Sequence, residues 1–231
     1  MSGGASSGSH GAVRLGDEAP NFTAETTEGE IDFHKWAGDS WVLLVSHPAD
    51  HTPVCTTELG TLAKLQDEFK KRNVKTIGLS VDSKDDHEKW SADINKVMGC
   101  TMNFPLIADK NREVATKYGM LDRADSDNVD AKGMPLTVRS VFIITPAKKV
   151  ALILTYPASC GRNFDEVLRA VDSLQLTANK QLCTPANWKA GGDLVVAPSV
   201  STEAAKEKYG ADNVDVKLPY LRMVPASAAD K

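Results

Sequence analysis

Cys55 closes a short run of chemically capable residues, His47-Pro48-Ala49-Asp50-His51-Thr52-Pro53-Val54-Cys55. Two chemistries are open to it. One is nucleophilic. A thiolate attacks electrophiles, and the ordinary cysteine pKa of about 8.5 falls at a helix N-terminus or beside a cation. The other is metal binding, because His47, His51 and Cys55 recur every four residues, as ligands on one helical face do. Pro48 and Pro53 forbid a continuous helix through all three, so no metal is expected. The bland reading is a small buried core residue, the common fate of a free cysteine.

The flanking elements place the run. Trp41-Val42-Leu43-Leu44-Val45 is apolar without alternation, which predicts a strand covered on both faces, as in the middle of a parallel sheet. After it, Pro53 suits the first helical position and Thr52 the N-cap. Leu59, Leu62, Leu65 and Phe69 then continue a helical face from Cys55 toward Arg72. Cys55 therefore falls in the first turn of a helix that follows a central strand, where open α/β folds place their chemistry. A cation for it is Arg139, in Val138-Arg139-Ser140-Val141-Phe142 at the start of another apolar strand. A buried arginine needs a partner; the alternative is a surface arginine that snorkels.

Further strands are expected at 74–81, 104–108, 138–144 and 150–156, the last two joined as an antiparallel hairpin through Thr145–Lys149. Helices are expected at 84–98, 111–118 and 163–176, the last with the apolar stripe Phe164, Val167, Leu168, Val171 and Leu174. Short strands are expected near Phe22 and over Ile31–Trp36. The fold class is α/β: a thioredoxin-like mixed sheet covered by helices on both faces, with a small C-terminal α+β extension. Residues 1–11 read as a disordered leader, 12–176 as the main domain and 177–231 as the extension. The extension has one helix near 202–209, is too small for a confident core of its own, and is expected to pack on the main domain or a partner subunit.

The 231 residues carry a net charge of -4 and no basic run, which argues against nucleic acid as a partner. No stretch approaches the roughly 20 apolar residues of a membrane helix. Cys55, Cys100, Cys160 and Cys183 form no CxxC pair. Reduced thiols and a cytoplasmic location are expected. No cofactor is expected.

The spacing Pro48-x-x-x-Thr52-x-x-Cys55 has the pattern of the peroxiredoxins. The wider stretch from Ser46 to Gly60 closely resembles their 1-Cys, peroxiredoxin-6-type branch, within the AhpC/TSA superfamily. So do Gly133-Met134-Pro135-Leu136-Thr137-x-Arg139, Tyr156-Pro157-Ala158, Gly161-Arg162-Asn163-Phe164 and Ser173-Leu174-Gln175-Leu176-Thr177. The resemblance covers roughly residues 12–225. It implies a thiol peroxidase that reduces hydrogen peroxide and organic hydroperoxides, including lipid hydroperoxides, through a sulfenic acid at Cys55. Thr52 would hydrogen-bond the thiolate and the peroxide, Arg139 would hold the thiolate and polarise the peroxide, Pro48 would keep water away, and His47 would line the pocket. The sequence departs from the branch at Ala49 and His51, where relatives usually carry Arg and Phe.

The resemblance also bears on recycling. Two-Cys peroxiredoxins resolve the sulfenic acid with a tail cysteine ahead of Pro and Trp. Here Leu182-Cys183-Thr184-Pro185-Ala186-Asn187-Trp188 puts Thr184 at that place and Cys183 one residue early. An external thiol is therefore expected: glutathione, with a glutathione S-transferase as its delivering partner, or thioredoxin. Cys183 remains the alternative. A homodimer or larger homo-oligomer is expected, as in relatives. Some relatives add a phospholipase A2 site in a Gly-Asp-Ser-Trp-Gly motif. Here Ser40 and His34 are present, but Val42 replaces the last Gly and Ala147 stands where the Asp is expected, so that activity is not expected. A redox sensor or holdase on the same fold is the other alternative reading.

Overall fold

The structure is a computed structural model and describes residues 13–123, 125–178 and 180–229. The leader expected at 1–11 lies outside the described residues. The chain divides into two compact units, one ending at Phe164 and one starting at Asp165.

The first unit is built on a seven-stranded mixed sheet in the order β2-β1-β5-β4-β3-β6-β7. In chain order its elements are β1 (Thr23–Thr26), β2 (Gly29–Asp32), α1 (Phe33–Ala37), β3 (Trp41–Ser46), α2 (Pro53–Lys64), α3 (Gln66–Lys71), β4 (Val74–Ser80), α4 (Lys84–Met98), β5 (Leu106–Ala108), α5 (Glu113–Tyr118), β6 (Arg139–Ile144) and β7 (Val150–Tyr156). The consecutive apolar residues of β3 have the expected cause. The strand is central, parallel to β4 and antiparallel to β6, with Leu44 opposite both Ile77 and Phe142. β6 and β7 form the expected antiparallel hairpin.

Side-chain alternation along β3 splits the core in two. Val42 and Leu44 join Phe33, Ala37, Val114, Ala115 and Tyr118 from α1 and α5. Leu43 and Val45 point to the opposite face and are equally buried. On that face α2 and α4 pack together closely enough that a methyl at Gly60 would run into the Met98 side chain.

Two expectations are corrected here. Ile31–Trp36 is not one strand: Ile31 ends β2, and Asp32 caps α1 by accepting from the Lys35 N–H. The helix expected to run from Pro53 to about Arg72 breaks at Leu65, whose backbone (φ -92, ψ 2) leaves helical geometry.

The second unit contains most of α6 (Phe164–Ala178), then β8 (Leu182–Cys183), β9 (Leu194–Val196), α7 (Thr202–Tyr209), β10 (Asp215–Leu218) and β11 (Leu221–Val224). Its strands form a separate sheet, β10-β11-β9-β8. Contrary to expectation, this region has a core of its own. Leu182, Trp188, Leu194, Val196, Ala205, Tyr209 and Val224 are buried together, with Leu176 of α6 against them. Trp188 holds its ring inward by donating its indole N–H to Gly192 O at 3.0 Å.

Candidate active site

Cys55 is the third residue of α2 and is fully buried. Helix geometry leaves the N–H groups of this first turn without intrahelical acceptors, so their partial positive charge faces the thiol. Pro53 takes the first helical position as expected. Thr52 is the N-cap residue by backbone angles (φ -110, ψ 147), but its side chain makes no capping bond. Its Oγ1 donates to Ala49 O at 2.8 Å instead. A hydroxyl has one proton, so Thr52 presents only acceptor lone pairs to a neighbour.

Arg139 does not snorkel. It opens β6 with 3% exposure, and all three of its nitrogens are engaged. Nη1 donates to Cys55 Sγ at 3.2 Å and to Glu58 Oε2 at 2.8 Å. Nε and Nη2 both donate to Ala158 O, at 2.8 and 2.6 Å. Glu58 lies one turn beyond Cys55 on the same helix face. It is gripped again by Arg162, through Nη2 to Oε2 at 2.7 Å and through the backbone N–H to Oε1 at 2.7 Å. Arg162 Nη1 also donates to Ser46 O and Ser140 O, which ties the cluster to β3 and β6. Burial alone would raise the Glu58 pKa, but the Arg162 and Arg139 guanidiniums outweigh it and hold the carboxyl below its ordinary value. Two fixed cations then share one carboxylate, and a thiolate at Cys55 brings the buried cluster to neutrality.

The loop before α2 is held as firmly. Pro48 is buried. His47 is fully buried and its carbonyl accepts from Thr137 Oγ1. His47 Nε2 lies 2.7 Å from Asp50 Oδ1, and His87 Nδ1 of α4 lies 2.6 Å from Asp50 Oδ2. His87 Nε2 faces Ile107 O at 3.1 Å. Burial pushes the His47 pKa down despite the pull of Asp50. Burial works against the ionised Asp50 too, but bonds from the two imidazoles outweigh it and hold the carboxyl well below the usual carboxylate range. For His87, burial is outweighed by Asp50 and the Ile107 carbonyl, and its pKa rises. By type and proximity these three are possible metal donors, with ligand atoms within 4.8 Å of one another. The same atoms already serve one another as hydrogen-bond partners.

His51 adopts φ 55 and leaves the buried loop. Its half-exposed ring lies 6.3 Å from Trp90, with Nδ1 3.7 Å from Asp93 Oδ2. Of the expected residues, Arg139 and Cys55 are in contact, Thr52 stands at the N-cap of the helix that carries Cys55, and Pro48 and His47 lie buried in the segment before it. Sequence reading overlooked Glu58, Asp50 and His87, and assigned Arg162 no role. Glu58 had a signal, since it lies three residues past Cys55 on one helix face; His87 had none, because its partner is 37 residues away.

The remaining candidates lie elsewhere. Cys183 is exposed on β8, and Cys160 is exposed in the 157–163 loop; neither is in a disulfide. Ser40 Oγ is bonded to Asn73 Oδ1 at 2.9 Å, and His34 Nε2 to Ala19 O at 2.7 Å, so the two are held by different partners.

Comparison with known proteins agrees with this geometry. The AhpC/TSA family model matches residues 15–153, and the C-terminal domain of 1-Cys peroxiredoxin matches residues 173–211. The chain is 55% identical to peroxiredoxin-6 of Gallus gallus over 91% of its length and 96% of that protein. The chain belongs to the 1-Cys peroxiredoxins. As a member of that family it is a thiol-dependent peroxidase. Among solved structures, a Cys-to-Ser mutant of peroxiredoxin 6 from Arenicola marina superposes with a TM-score of 0.88 at 48% identity, covering 93% of this chain and 98% of that one. The yeast mitochondrial 1-Cys peroxiredoxin, solved to explain thiol resolution via glutathione/thioredoxin systems, gives a TM-score of 0.84 at 47% identity, covering 93% and 100%. The peroxiredoxin-6 likeness thus includes the second unit, with its separate sheet.

Proposed function

We propose that this peroxiredoxin reduces hydrogen peroxide and organic hydroperoxides, including lipid hydroperoxides, at Cys55. The observation that carries this reading is the Arg139 Nη1 contact, shared between Cys55 Sγ and a doubly gripped Glu58. It holds a cation at the sulfur and fixes its direction. The thiolate attacks the terminal peroxide oxygen. An S–O bond forms, the O–O bond breaks, and the departing oxygen takes a proton to leave as water or an alcohol. Cys55 is left as a sulfenic acid.

Each neighbour has a role in this displacement, which depends on alignment as much as on charge. Thr52, its proton already given to Ala49 O, accepts from the peroxide O–H. Arg139 and the first-turn N–H groups of α2 stabilise charge on the two oxygens. Buried Pro48 keeps bulk water from the sulfur. His47, facing Asp50, shapes the back of the pocket.

Recycling is assigned to an external thiol. Glutathione attacks the sulfenic sulfur and releases water, and a second thiol reduces the mixed disulfide; thioredoxin is the alternative donor. The yeast relative supports both routes. A cytoplasmic, reducing location and a homodimer belong to the same proposal.

Mass spectrometry of Cys55 after one equivalent of peroxide, with and without glutathione, tests it. The expected products are sulfenic acid and a glutathione mixed disulfide, and Cys55→Ser gives no turnover. Continued peroxide consumption by Cys55→Ser overturns the assignment. Sedimentation of the purified protein tests the dimer.

A further inference from the structure

Behind the peroxidatic loop lies a buried chain of three titratable groups, of which the displacement uses His47 alone, as a wall of the pocket. His87 lies on α4, Asp50 in the loop, and His47 at the end of β3. We propose that His87 is a positioning residue for the peroxidase: the His87–Asp50–His47 hydrogen bonds tie α4 to the loop between β3 and α2 and hold His47 in a single tautomer. This rests on the peroxidase reading of Cys55 and adds to it the residue that keeps the loop in register.

The proton positions follow from the partners. A carbonyl oxygen only accepts, so His87 Nε2 donates to Ile107 O. An ionised carboxylate only accepts, so His87 Nδ1 donates to Asp50 Oδ2. Both ring nitrogens then carry protons, and His87 is an imidazolium paired with a carboxylate in a fully buried site. Asp50 Oδ1 accepts a hydrogen bond from the Nε2–H of His47. A neutral His47 is left with a bare Nδ1, an acceptor that has no partner among the described residues.

The same helix reaches the far side of Cys55. Trp90, one turn beyond His87, donates its indole N–H to Thr56 Oγ1 at 3.1 Å, and its ring lies 5.0 Å from the His47 ring. α4 therefore holds the chain at Asp50 and at Thr56, bracketing the cysteine. Such bracketing is needed. His51, between these anchors, sits in the left-handed region at φ 55, a conformation that persists in a non-glycine residue only where its surroundings over-determine it.

Other charges face the chain. Asp82, after β4, accepts from the Asp50 N–H and from Ser80 Oγ. Asp86, on α4, accepts from Ser83 Oγ and acts on Asp50 from the N-terminal end of the helix. His51 and Asp93 are exposed outside it. Of the buried groups, His87 is the one that donates in two directions, so losing one proton costs it either the bond to Asp50 or the bond to Ile107 O and loosens its hold on the loop.

The test compares wild type with His87→Asn and His87→Leu. The Asn amide occupies the place of Nδ1 and keeps a neutral donor to Asp50, whereas Leu keeps bulk alone. Two rates are read from pH 5 to 9: peroxide oxidation of Cys55, and alkylation of Cys55 by iodoacetamide. Misplacing a reacting group by an ångström costs about 100-fold, and His87→Leu is expected to lose peroxide reactivity on that scale. His87→Asn is expected to recover most of it at neutral pH. It is also expected to lose the alkaline fall that wild type shows as His87 deprotonates. An unfolded His87→Leu leaves the decision to the His87→Asn profile, where an alkaline fall like that of wild type overturns the proposal. A folded His87→Leu with wild-type rates and pH profile also overturns it. So does stoichiometric zinc binding by wild type that His87→Asn abolishes, because the metal would then occupy these nitrogens. Alkylation tests the positioning role without peroxide, so failure of the peroxidase reading shows separately, as a wild type that does not consume peroxide.

Discussion

Arg139 and Cys55 are 84 residues apart in sequence, and Nη1 of one lies 3.2 Å from Sγ of the other. The same guanidinium holds Ala158 O with its other two nitrogens, so its plane is fixed before any peroxide arrives. Lysine cannot reproduce this fork. Loss of one preorganised donor at a reacting centre costs about 100- to 1,000-fold in rate. Arg139→Lys should therefore slow peroxide oxidation of Cys55 by about that factor, measured by competition against a reporter peroxidase. A rate within threefold of wild type would count against the role given to Arg139.

Glu58 is the counter-charge that lets two arginines stay buried. Removing one partner of a buried ion pair costs about 3–5 kcal/mol, because the other charge is left without its partner. Glu58→Gln should lose that much unfolding free energy in urea and also peroxide reactivity, since Arg139 loses a restraint. An unchanged urea midpoint would show that the cluster does not support the fold.

The buried histidines and Asp50 set the pH range of stability, with opposite signs. Asp50 has a depressed pKa, so its stabilisation is present above its unfolded value of 3.8 and is lost as pH falls through the folded value. His47 is also depressed, and its contribution declines as pH falls below 6.5. His87 is raised, so its contribution is complete below 6.5 and is lost as pH rises through the folded value. Urea midpoints measured against pH should fall on both sides of a maximum, and His87→Asn should remove the alkaline decline alone. An alkaline decline that survives in His87→Asn must come from another group.

Recycling distinguishes the cysteines. Cys183→Ser and Cys160→Ser should both keep full turnover with glutathione, because neither thiol is needed to release water from the sulfenic acid. A peroxide-dependent disulfide between Cys55 and Cys183 on non-reducing gels, lost in Cys183→Ser, would replace the external-thiol route with a two-cysteine one.

Elements built from local patterns were legible in the chain. The unbroken apolar run of β3 announced a central strand, Pro53 marked the start of α2, and the proline-containing Thr145–Lys149 link marked the β6–β7 hairpin. The break at Leu65 was not legible, because the apolar face continues across it and only backbone geometry interrupts the helix. The core of the second unit was missed for a related reason. Leu182, Trp188, Leu194 and Val224 are scattered singly among turns, and no periodicity shows that they meet.

The sequence by itself determined that Cys55 stands in the first turn of a helix after a buried strand, with Pro48 and Thr52 at family spacing. Those are local facts, set by φ restrictions and by the period of apolar residues. Tertiary structure decided which charges surround the sulfur. Arg139 could have been a surface residue until β6 paired beside β3, and Arg162 until its loop folded over Glu58. His87 reaches Asp50 only because α4 packs against α2. A charge is tolerated in the interior only beside its partner, and these partners are brought together by sheet register and helix packing, neither of which is written in any one stretch of the chain.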